Sequence, residues 1–455
     1  MLDTLNCLEM FISRMRQTLR LIVIVVVVSQ PAPSTSQSVV PVQVPLVDYP
    51  YTFNAANPYP SMQQSLQISA SFYHVGASGS DWLSRKLVKG EEHEVERFIL
   101  RGLFDLSALI VSVYLPGGYG WVHEEYHAGV CRIHGISCKN QVNRFPLFKD
   151  FISVNGVADS DLMRMKSEQP IDFVRMSSAG LESGLELSKA LQVNQFTEET
   201  RPLTLIYWLA AYHTRSYISS ASKNTIGYDE RYREETNAAK HDIIGWDPLA
   251  WVYDLFRPSE AYEARGLHPS GIGIDRYITS GKLTDEESDY LRKQARLTGI
   301  NFIDPFLFGI TSIRLTDQVA FNSNVKHYIT SFGHAIHANV FLKLRDHKLL
   351  FTWLNQKNFV KYHPGFDLQV FDLPVKDKWR VTPRVMVWSQ PKRQAFRTED
   401  SKVGYLISTN LRYEATAVSS FFLSLEYKTE GWVASNPYTS TQFSTRFGLA
   451  LYPVF

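Results

Sequence analysis

The segment TQFSTRFGLALYPVF, residues 441–455, carries the pattern that governs how the second half of this 455-residue chain is interpreted. Successive side chains of a β-strand point to opposite sides, so every second residue shares a face. The apolar residues of this segment share one face: Phe443, Phe447, Leu449, Leu451, Pro453 and Phe455. The segment is therefore predicted to be a strand with one continuous apolar face.

The same alternation, with a period of two residues, continues through the chain from about residue 300 onward. Four further segments show it: ANVFLKLRD (338–346), WRVTPRVMVWS (379–389), VGYLISTNLRY (403–413) and FFLSLEY (421–427). Turn-like clusters such as DLPVKDK and ASNPYTS separate the segments. We therefore expect roughly eight strands after residue 310, enough for a small barrel, and SLQISASFYHV (65–75) is a candidate for an earlier strand.

An alternating final strand that ends on an aromatic residue resembles the closing strand of bacterial outer-membrane β-barrels. The resemblance covers about the last 75 residues and extends to about 150. It implies an antiparallel, barrel-like region over residues 301–455, whose apolar face contacts lipid and whose closure removes unpaired edges. A soluble antiparallel sandwich with an aromatic core would alternate in the same way and is the other interpretation.

The N-terminal region has the pattern of an export signal. Basic residues in SRMRQTLR (13–20) precede the apolar run LIVIVVVV (21–28), which is too short to span a bilayer as a helix. We expect residues 1–29 to be a signal peptide, residues 30–60 to be an extended leader, and the mature chain to reside in the bacterial outer membrane or periplasm. In that oxidising compartment, Cys131 and Cys138 would form a disulfide or remain as two buried thiols.

Residues 61–300 are predicted to be mainly helical, so the expected fold class is α+β, with a helical domain before the antiparallel β-region. VERFILRGLFDLSALIVSVYL (95–115) is apolar on most faces and is expected to be a buried helix. PLTLIYWLAAYHTRSYI (202–218) and TDEESDYLRKQARL (284–297) are two further predicted helices, the second opening with a threonine cap.

The segment WVHEEYHAG, residues 121–129, contains H-E-x-x-H at His123, Glu124 and His127. Residues four apart share a helix face, so the two imidazoles can bind one zinc ion while Glu124 acts as general base on a water molecule. The motif resembles that of zincin metallopeptidases, and the resemblance implies a helical zinc-hydrolase domain. Glu125 departs from the family pattern, which has an uncharged residue at this interior position.

A zincin site needs a third protein ligand. The metzincin spacing is absent, because it requires glycine and histidine at the positions of Val130 and Ile133. A gluzincin-like site takes a glutamate from a later helix, and SSAGLESGLELSKAL (177–191) offers Glu182 as the zinc ligand. Glu186, one turn later, is then the partner of a ligand histidine or an alternative ligand.

The same segment has glycines at positions 180 and 184, which would let another helix approach closely enough for a short carboxylate side chain to reach the metal. The other interpretation is an amphipathic helix with two solvated acids and a packing stripe of small residues. His213 lies in an apolar helix, where it could donate a hydrogen bond to a tetrahedral intermediate or be an ordinary core histidine.

These motifs predict a zinc-dependent hydrolase of the cell envelope. A metallopeptidase acting on a peptide is the first expectation, and hydrolysis of an ester or amide in a lipid or cell-wall component is another. The alternative is a non-enzymatic outer-membrane channel, scaffold or secretion component in which the H-E-x-x-H motif is degenerate. The formal net charge of +2 gives no support for nucleic acid as a partner.

Overall fold

The computed structural model describes residues 41–54, 59–141, 153–225 and 233–452. The expected signal peptide and the three C-terminal residues, including Phe455, lie outside this part of the chain. Helices dominate up to Leu297, and long antiparallel strands follow from Ile313 onward. The predicted α+β class is therefore confirmed.

The helical part contains elements of very different lengths. They are α1 (Tyr51–Asn54), α2 (Met62–Leu87), α3 (Glu94–Ser112), α4 (Tyr119–Arg132), α5 (Asp159–Glu168), α6 (Pro170–Glu198), α7 (Thr204–Ser222), α8 (Asp247–Phe256) and α9 (Asp285–Leu297). The helices predicted at 95–115, 202–218 and 284–297 correspond to α3, α7 and α9. Helix α9 begins at the expected cap, because Thr284 Oγ1 accepts a hydrogen bond from the Glu287 amide.

The strands are β1 (Val42–Tyr49), β2 (Lys139–Asn140), β3 (Val154–Asn155), β4 (Ile313–Thr316), β5 (Val319–Thr330), β6 (Gly333–Leu344), β7 (His347–Lys357), β8 (Tyr362–Phe371), β9 (Leu373–Lys376), β10 (Trp379–Pro391), β11 (Ser401–Thr416), β12 (Ser419–Lys428) and β13 (Gln442–Leu451). Strands β2 and β3 pair only with each other, and the rest form one 11-stranded antiparallel sheet. Its order is β1-β13-β12-β11-β10-β8-β7-β6-β5-β4, with β9 paired to β10. Strand β1 lies in the stretch expected to be an extended leader.

The sheet is not closed into a barrel, which corrects the predicted closure. In the described ranges, β1 and β4 form the two edges and are not paired with each other. Helix α2 packs along β1, where Ser71 Oγ accepts a hydrogen bond of 2.9 Å from the Gln43 amide. Near the other edge, Trp208 of α7 donates to the Leu307 carbonyl at 2.8 Å, in the turn that precedes β4. Helix α2 therefore covers the β1 edge, whereas all four residues of the β4 edge strand are exposed.

The outward face of the sheet is apolar and exposed. On the final strand, Phe443 and Phe447 are 50% and 37% exposed, whereas Ser444 between them is buried. Strand β11 also presents apolar side chains outward, since Tyr405 and Ile407 are 42% and 54% exposed. The apolar stripe that the sequence predicted for the last strand thus points away from the rest of the protein.

The inward face is polar and encloses α6. Asn339 bridges its neighbours, because its Nδ2 donates to Asn324 Oδ1 at 2.7 Å and its Oδ1 accepts from Thr352 Oγ1 at 2.8 Å. Asn324 in turn donates to Gln192 Oε1 of α6 at 2.8 Å. All four side chains are buried, so hydrogen bonds satisfy polar groups that the sheet removes from water.

Two expectations about the helical part are wrong. The candidate early strand lies inside α2, which begins at a capping box between Ser61 and Gln64. Helix α3 is not buried, because only one side packs on α2, and Val95, Ile99 and Leu103 are 68%, 55% and 56% exposed. No helix in the described ranges combines the length and the apolar character that crossing a bilayer requires.

The two cysteines are buried thiols rather than a disulfide. Cys131 Sγ donates to Met176 Sδ at 3.1 Å, and Cys138 Sγ points to the Ala128 carbonyl at 3.6 Å. Both therefore fill the core between α4 and its neighbours, which is the second of the two roles expected for them.

Candidate metal centre

Helix α4 carries the H-E-x-x-H motif at the centre of the helical part, and all of its residues are buried. His123 and His127 are one turn apart and face the same side, with their Nε2 atoms 3.2 Å apart. Helix α6 packs against α4 along this side. The structure thus brings together the two imidazoles in the way that their spacing predicts.

The third member of the cluster is Asp247, the first residue of α8. Its Oδ2 atom lies 3.1 Å from Nε2 of His123 and 3.1 Å from Nε2 of His127. The loop before α8 is held by Asp242, whose Oδ1 accepts hydrogen bonds from two of the following backbone amides. Gly245 in this loop has a φ of +79°, a conformation that glycine adopts without strain.

The three ligand atoms form a nearly equilateral triangle, with edges of 3.1, 3.1 and 3.2 Å. Zinc binds histidine nitrogen and carboxylate oxygen at about 2.0–2.1 Å, so two ligands of a tetrahedral site lie about 3.3–3.4 Å apart. The triangle is therefore close to one face of such a tetrahedron. The cluster could hold a metal ion and would leave the fourth position for water or substrate.

A backbone carbonyl fixes the orientation of His127. Its Nδ1 lies 2.7 Å from the carbonyl oxygen of Met176 on α6. A carbonyl oxygen only accepts hydrogen bonds, so Nδ1 carries the hydrogen and the lone pair of a neutral imidazole is on Nε2, facing the cluster. Metal-binding histidines are commonly oriented by such a contact.

The charges in the cluster depend on one another. Burial disfavours protonation of His127, but the carboxylates of Asp247 and Glu124 outweigh burial and raise the pKa of His127 to about 9. Burial also opposes ionisation of Asp247, yet the imidazoles of His127 and His123 hold the pKa of this carboxyl below its ordinary value. The site therefore concentrates positive charge beside the carboxylate, and metal binding would release a proton.

Glu124 lies beside the cluster and is 6% exposed. Burial raises the pKa of Glu124 well above its ordinary value, and the nearby carboxylates of Asp242 and Asp247 add to the rise. Its side chain accepts no hydrogen bond from the described part of the chain. Such a carboxylate is suited to take up a proton from a water molecule at the cluster.

Two glycines of α6 make room for the cluster. A Cβ atom at Gly180 would lie 2.1 Å from His127 Nε2 and 2.6 Å from His123 Nε2. These separations are far too short for a non-bonded carbon atom, so any side chain at position 180 would displace the two imidazoles. One turn later, a Cβ at Gly184 would lie 2.2 Å from Tyr119 Oη. The close helix approach predicted from these glycines is therefore present, and at Gly180 it occurs beside the imidazoles of His123 and His127.

Glu182 does not point to the cluster, which corrects its prediction as the third ligand. Arg175 donates to both of its carboxylate oxygens, and the Ser435 amide donates to Oε1 at 2.7 Å. The helix geometry explains this, because residues two positions apart differ by about 200° around the helix axis. If Gly180 and Gly184 face α4, Glu182 must face away from it.

Glu186 shares the face of Glu182 and contacts no ligand histidine, so its predicted role is also wrong. Its Oε1 accepts a hydrogen bond of 2.7 Å from Tyr328 Oη on β5. Its Oε2 lies 3.4 Å from Ser435 Oγ, which donates to it. The two glutamates thus connect α6 to the β part, whereas the glycines connect it to the metal-site helix.

His213 of α7 lies beside the cluster, with its ring centroid 5.6 Å from that of His123. Burial lowers the pKa of His213 to about 3, and the neighbouring imidazole of His123 adds to the fall, so the His213 imidazole is neutral. Its Nδ1 is 3.3 Å from Tyr119 Oη. If this hydroxyl donates the hydrogen bond, the proton of His213 is on Nε2, which is then the donor toward the site.

Glu125, the departure from the zincin pattern, is paired inside the protein. Its Oε2 accepts a hydrogen bond of 2.6 Å from Arg132 Nη1, and its Oε1 accepts one of 3.0 Å from Asn140 Nδ2. The charge at this interior position is therefore compensated within α4 and by β2, away from the cluster.

Asp247 is the member of the candidate metal cluster that the sequence did not predict. The only local signal is an acidic residue directly before Pro248 at the start of an apolar helix. That pattern is also typical of an ordinary helix N-terminus, where a carboxylate interacts favourably with the helix dipole.

Comparison of the chain with protein-family models, with curated proteins and with solved structures finds no match.

Proposed function

We propose that this protein is a zinc-dependent hydrolase of the bacterial cell envelope. The observation that supports it most directly is the buried triangle of His123, His127 and Asp247, with Glu124 beside it. Two imidazole nitrogens and one carboxylate oxygen are a donor set that suits zinc. A zinc ion held there would supply Lewis acidity, lowering the pKa of water and polarising a substrate carbonyl.

The chain's own residues supply the proton transfers. Glu124 takes the proton from the attacking water and returns it to the leaving group, a role that its unpaired, buried carboxyl permits. His213 donates a hydrogen bond from Nε2 to the oxygen that becomes negatively charged in the tetrahedral intermediate. His123 and His127 stay fixed by their helix, and the Met176 carbonyl holds the His127 ring in place.

The proposed substrate carries a carbonyl group, either in a peptide bond or in an ester or amide of an envelope component. The surface of the sheet supports an envelope location, because its exposed outward face is apolar over several neighbouring strands. Lipid-facing strands have this arrangement, with polar residues on the opposite face. The 11-stranded sheet would then anchor the metal centre at the outer membrane.

The test measures metal content and hydrolysis on the same purified protein. We expect about one zinc per chain, retained in the variant Glu124→Gln, which should lose about 100-fold to 10,000-fold in hydrolysis of fluorogenic peptides or acyl esters. Asp247→Ala should lose the metal. Glu186→Gln is the matched control, because Glu186 is buried nearby but does not reach the cluster, and it should keep both metal and activity.

A second outcome would favour the non-enzymatic alternative. A wild-type chain that is folded but takes up no zinc at equimolar concentration would contradict the hydrolase proposal. The apolar outward face would then remain as support for an envelope scaffold or channel component without catalysis.

A further inference from the structure

A cavity of about 540 Å³ lies between the edge strand β1 and the helices that pack beside it. Its walls come from β1, α2, α3, the turn before α4 and the start of α7. Most of the lining is apolar, including Val42, Val44, Ile68, Phe72, Leu109 and Leu205. The volume falls in the range of about 300–1,000 Å³ that is typical of small-molecule sites.

Three polar side chains in the lining, Asp105, Ser71 and Tyr73, are already paired within the protein. Asp105 accepts hydrogen bonds of 2.6 and 2.8 Å from the guanidinium of Arg201. Ser71 Oγ accepts from the Gln43 amide at 2.9 Å. Tyr73 Oη, the third of these groups, is paired at 2.8 Å with a serine hydroxyl on α3. These groups therefore have partners without a ligand, so the cavity favours an occupant that presents apolar surface.

The cavity opens toward the exposed apolar surface of the molecule. Val44 lines the cavity and is 37% exposed on β1, beside the outward face of the sheet. At the mouth, Val75 is 39% exposed, and Gly76 and Ala108 on the facing helices are also exposed. An apolar ligand that lies against the outward face of β1 can thus enter the cavity without crossing a polar barrier.

We propose that this cavity binds a single acyl chain of a membrane lipid. An acyl chain matches the apolar lining, needs no hydrogen-bond partner, and is supplied by the bilayer if the outward face contacts lipid. The proposal rests on the envelope location in the proposed function, but it requires neither the metal nor hydrolysis.

Two positions at the mouth allow the cavity to be filled by mutation. A Cβ atom at Gly76 meets no other heavy atom within 4 Å, so Gly76→Phe can project its ring into the open space. Ala108→Phe does the same from the opposite wall. Gly79→Phe is the matched control, because Gly79 lies one turn further along α2, also has open space at its Cβ, and does not line the cavity.

The experiment uses the full chain in detergent, with a palmitic acid analogue that carries a photoreactive diazirine at its terminal carbon. After irradiation, mass spectrometry maps the labelled peptides. We expect labelling of the α2 and α3 segments that line the cavity, its loss in Gly76→Phe and in Ala108→Phe, and wild-type labelling in Gly79→Phe. Circular dichroism on each variant establishes that the fold is retained.

Two results would overturn the proposal. One is cavity labelling that persists in both filled variants, and the other is labelling confined to the outward strands in the wild type. The same measurement on Glu124→Gln separates this proposal from the catalytic one. We expect that variant to be labelled like the wild type although its hydrolysis is lost.

Discussion

Replacing Gly180 with alanine is expected to weaken metal binding by about 100-fold or more while leaving the fold in place. The new methyl group would lie 2.1 Å from His127 Nε2, whereas ordinary contact begins near 3.4 Å. The imidazole, or the whole of α6, would therefore have to move by about 1.3 Å. Metal–ligand distances tolerate deviations of only about 0.2 Å, so the triangle should bind an ion much more weakly after such a shift.

The expected magnitude follows from this displacement. Changes that merely misorient a metal ligand weaken binding by about 10-fold to 100-fold, so displacing the ligand atom should reach at least the upper figure. At a zinc concentration of about 100 times the wild-type dissociation constant, zinc should stabilise the wild type by about 2.7 kcal/mol. For a variant whose affinity is about 100-fold lower, the same concentration should add only about 0.4 kcal/mol.

The assay is thermal unfolding with and without added zinc, together with metal analysis of the purified chains. Gly129→Ala provides a buried control on α4, because its Cβ would meet Met62 Cγ at 3.1 Å and not the cluster. Gly102→Ala on α3 provides a control in open space. Both controls should respond to zinc like the wild type. A Gly180→Ala protein with wild-type zinc affinity would refute the proposed position of the metal.

Three further outcomes are expected. Burial, reinforced by the charge of Arg201, lowers the pKa of His74 from 6.5 to about 4, so the unfolded chain gains this proton before the folded protein does. The free energy of unfolding should therefore fall by up to about 3 kcal/mol as the pH drops from 6.5 to 4, and His74→Gln, compared by denaturant titration, should show a smaller fall. Ile407→Arg should destabilise the protein in bilayers by about 2–4 kcal/mol if its face contacts lipid, whereas a change within about 0.5 kcal/mol would indicate a water-facing surface. The thiols of Cys131 and Cys138 should react with iodoacetamide only after unfolding, and reductant should leave the melting temperature unchanged; labelling of the native protein would contradict their burial.

The sequence predicted the parts of the site that depend on local geometry. The four-residue spacing of His123 and His127 places both imidazoles on one side of any helix, whatever surrounds it. The third member of the cluster depends on how α8 packs against α6, and no periodic pattern encodes the approach of Asp247 across such a long stretch of chain. Glu182 was the wrong choice because a buried arginine on its own helix, Arg175, already pairs with it.

One error could have been avoided from the sequence. Glycines at 180 and 184 and glutamates at 182 and 186 lie on opposite faces of one helix, so only one pair can face the metal-site helix. The strand pattern was predictable for a similar reason, because alternation is local. Alternation does not determine whether the two edge strands of a sheet pair with each other, and therefore closure into a barrel was predicted although the sheet stays open.

The pairing of β1 with β13 has a consequence for how the protein assembles. Val42 lies opposite Leu451, so this seam joins segments from the two ends of the described chain. A contact of such long sequence separation cannot form before the final strand has been synthesised and positioned against its other neighbour. Until β1 pairs with it, one edge of β13 exposes unpaired backbone N–H and C=O groups, which strands of other molecules can bind. Completion of folding is therefore expected to await one late event, and disrupting β1 should promote aggregation even when the metal-binding residues are untouched.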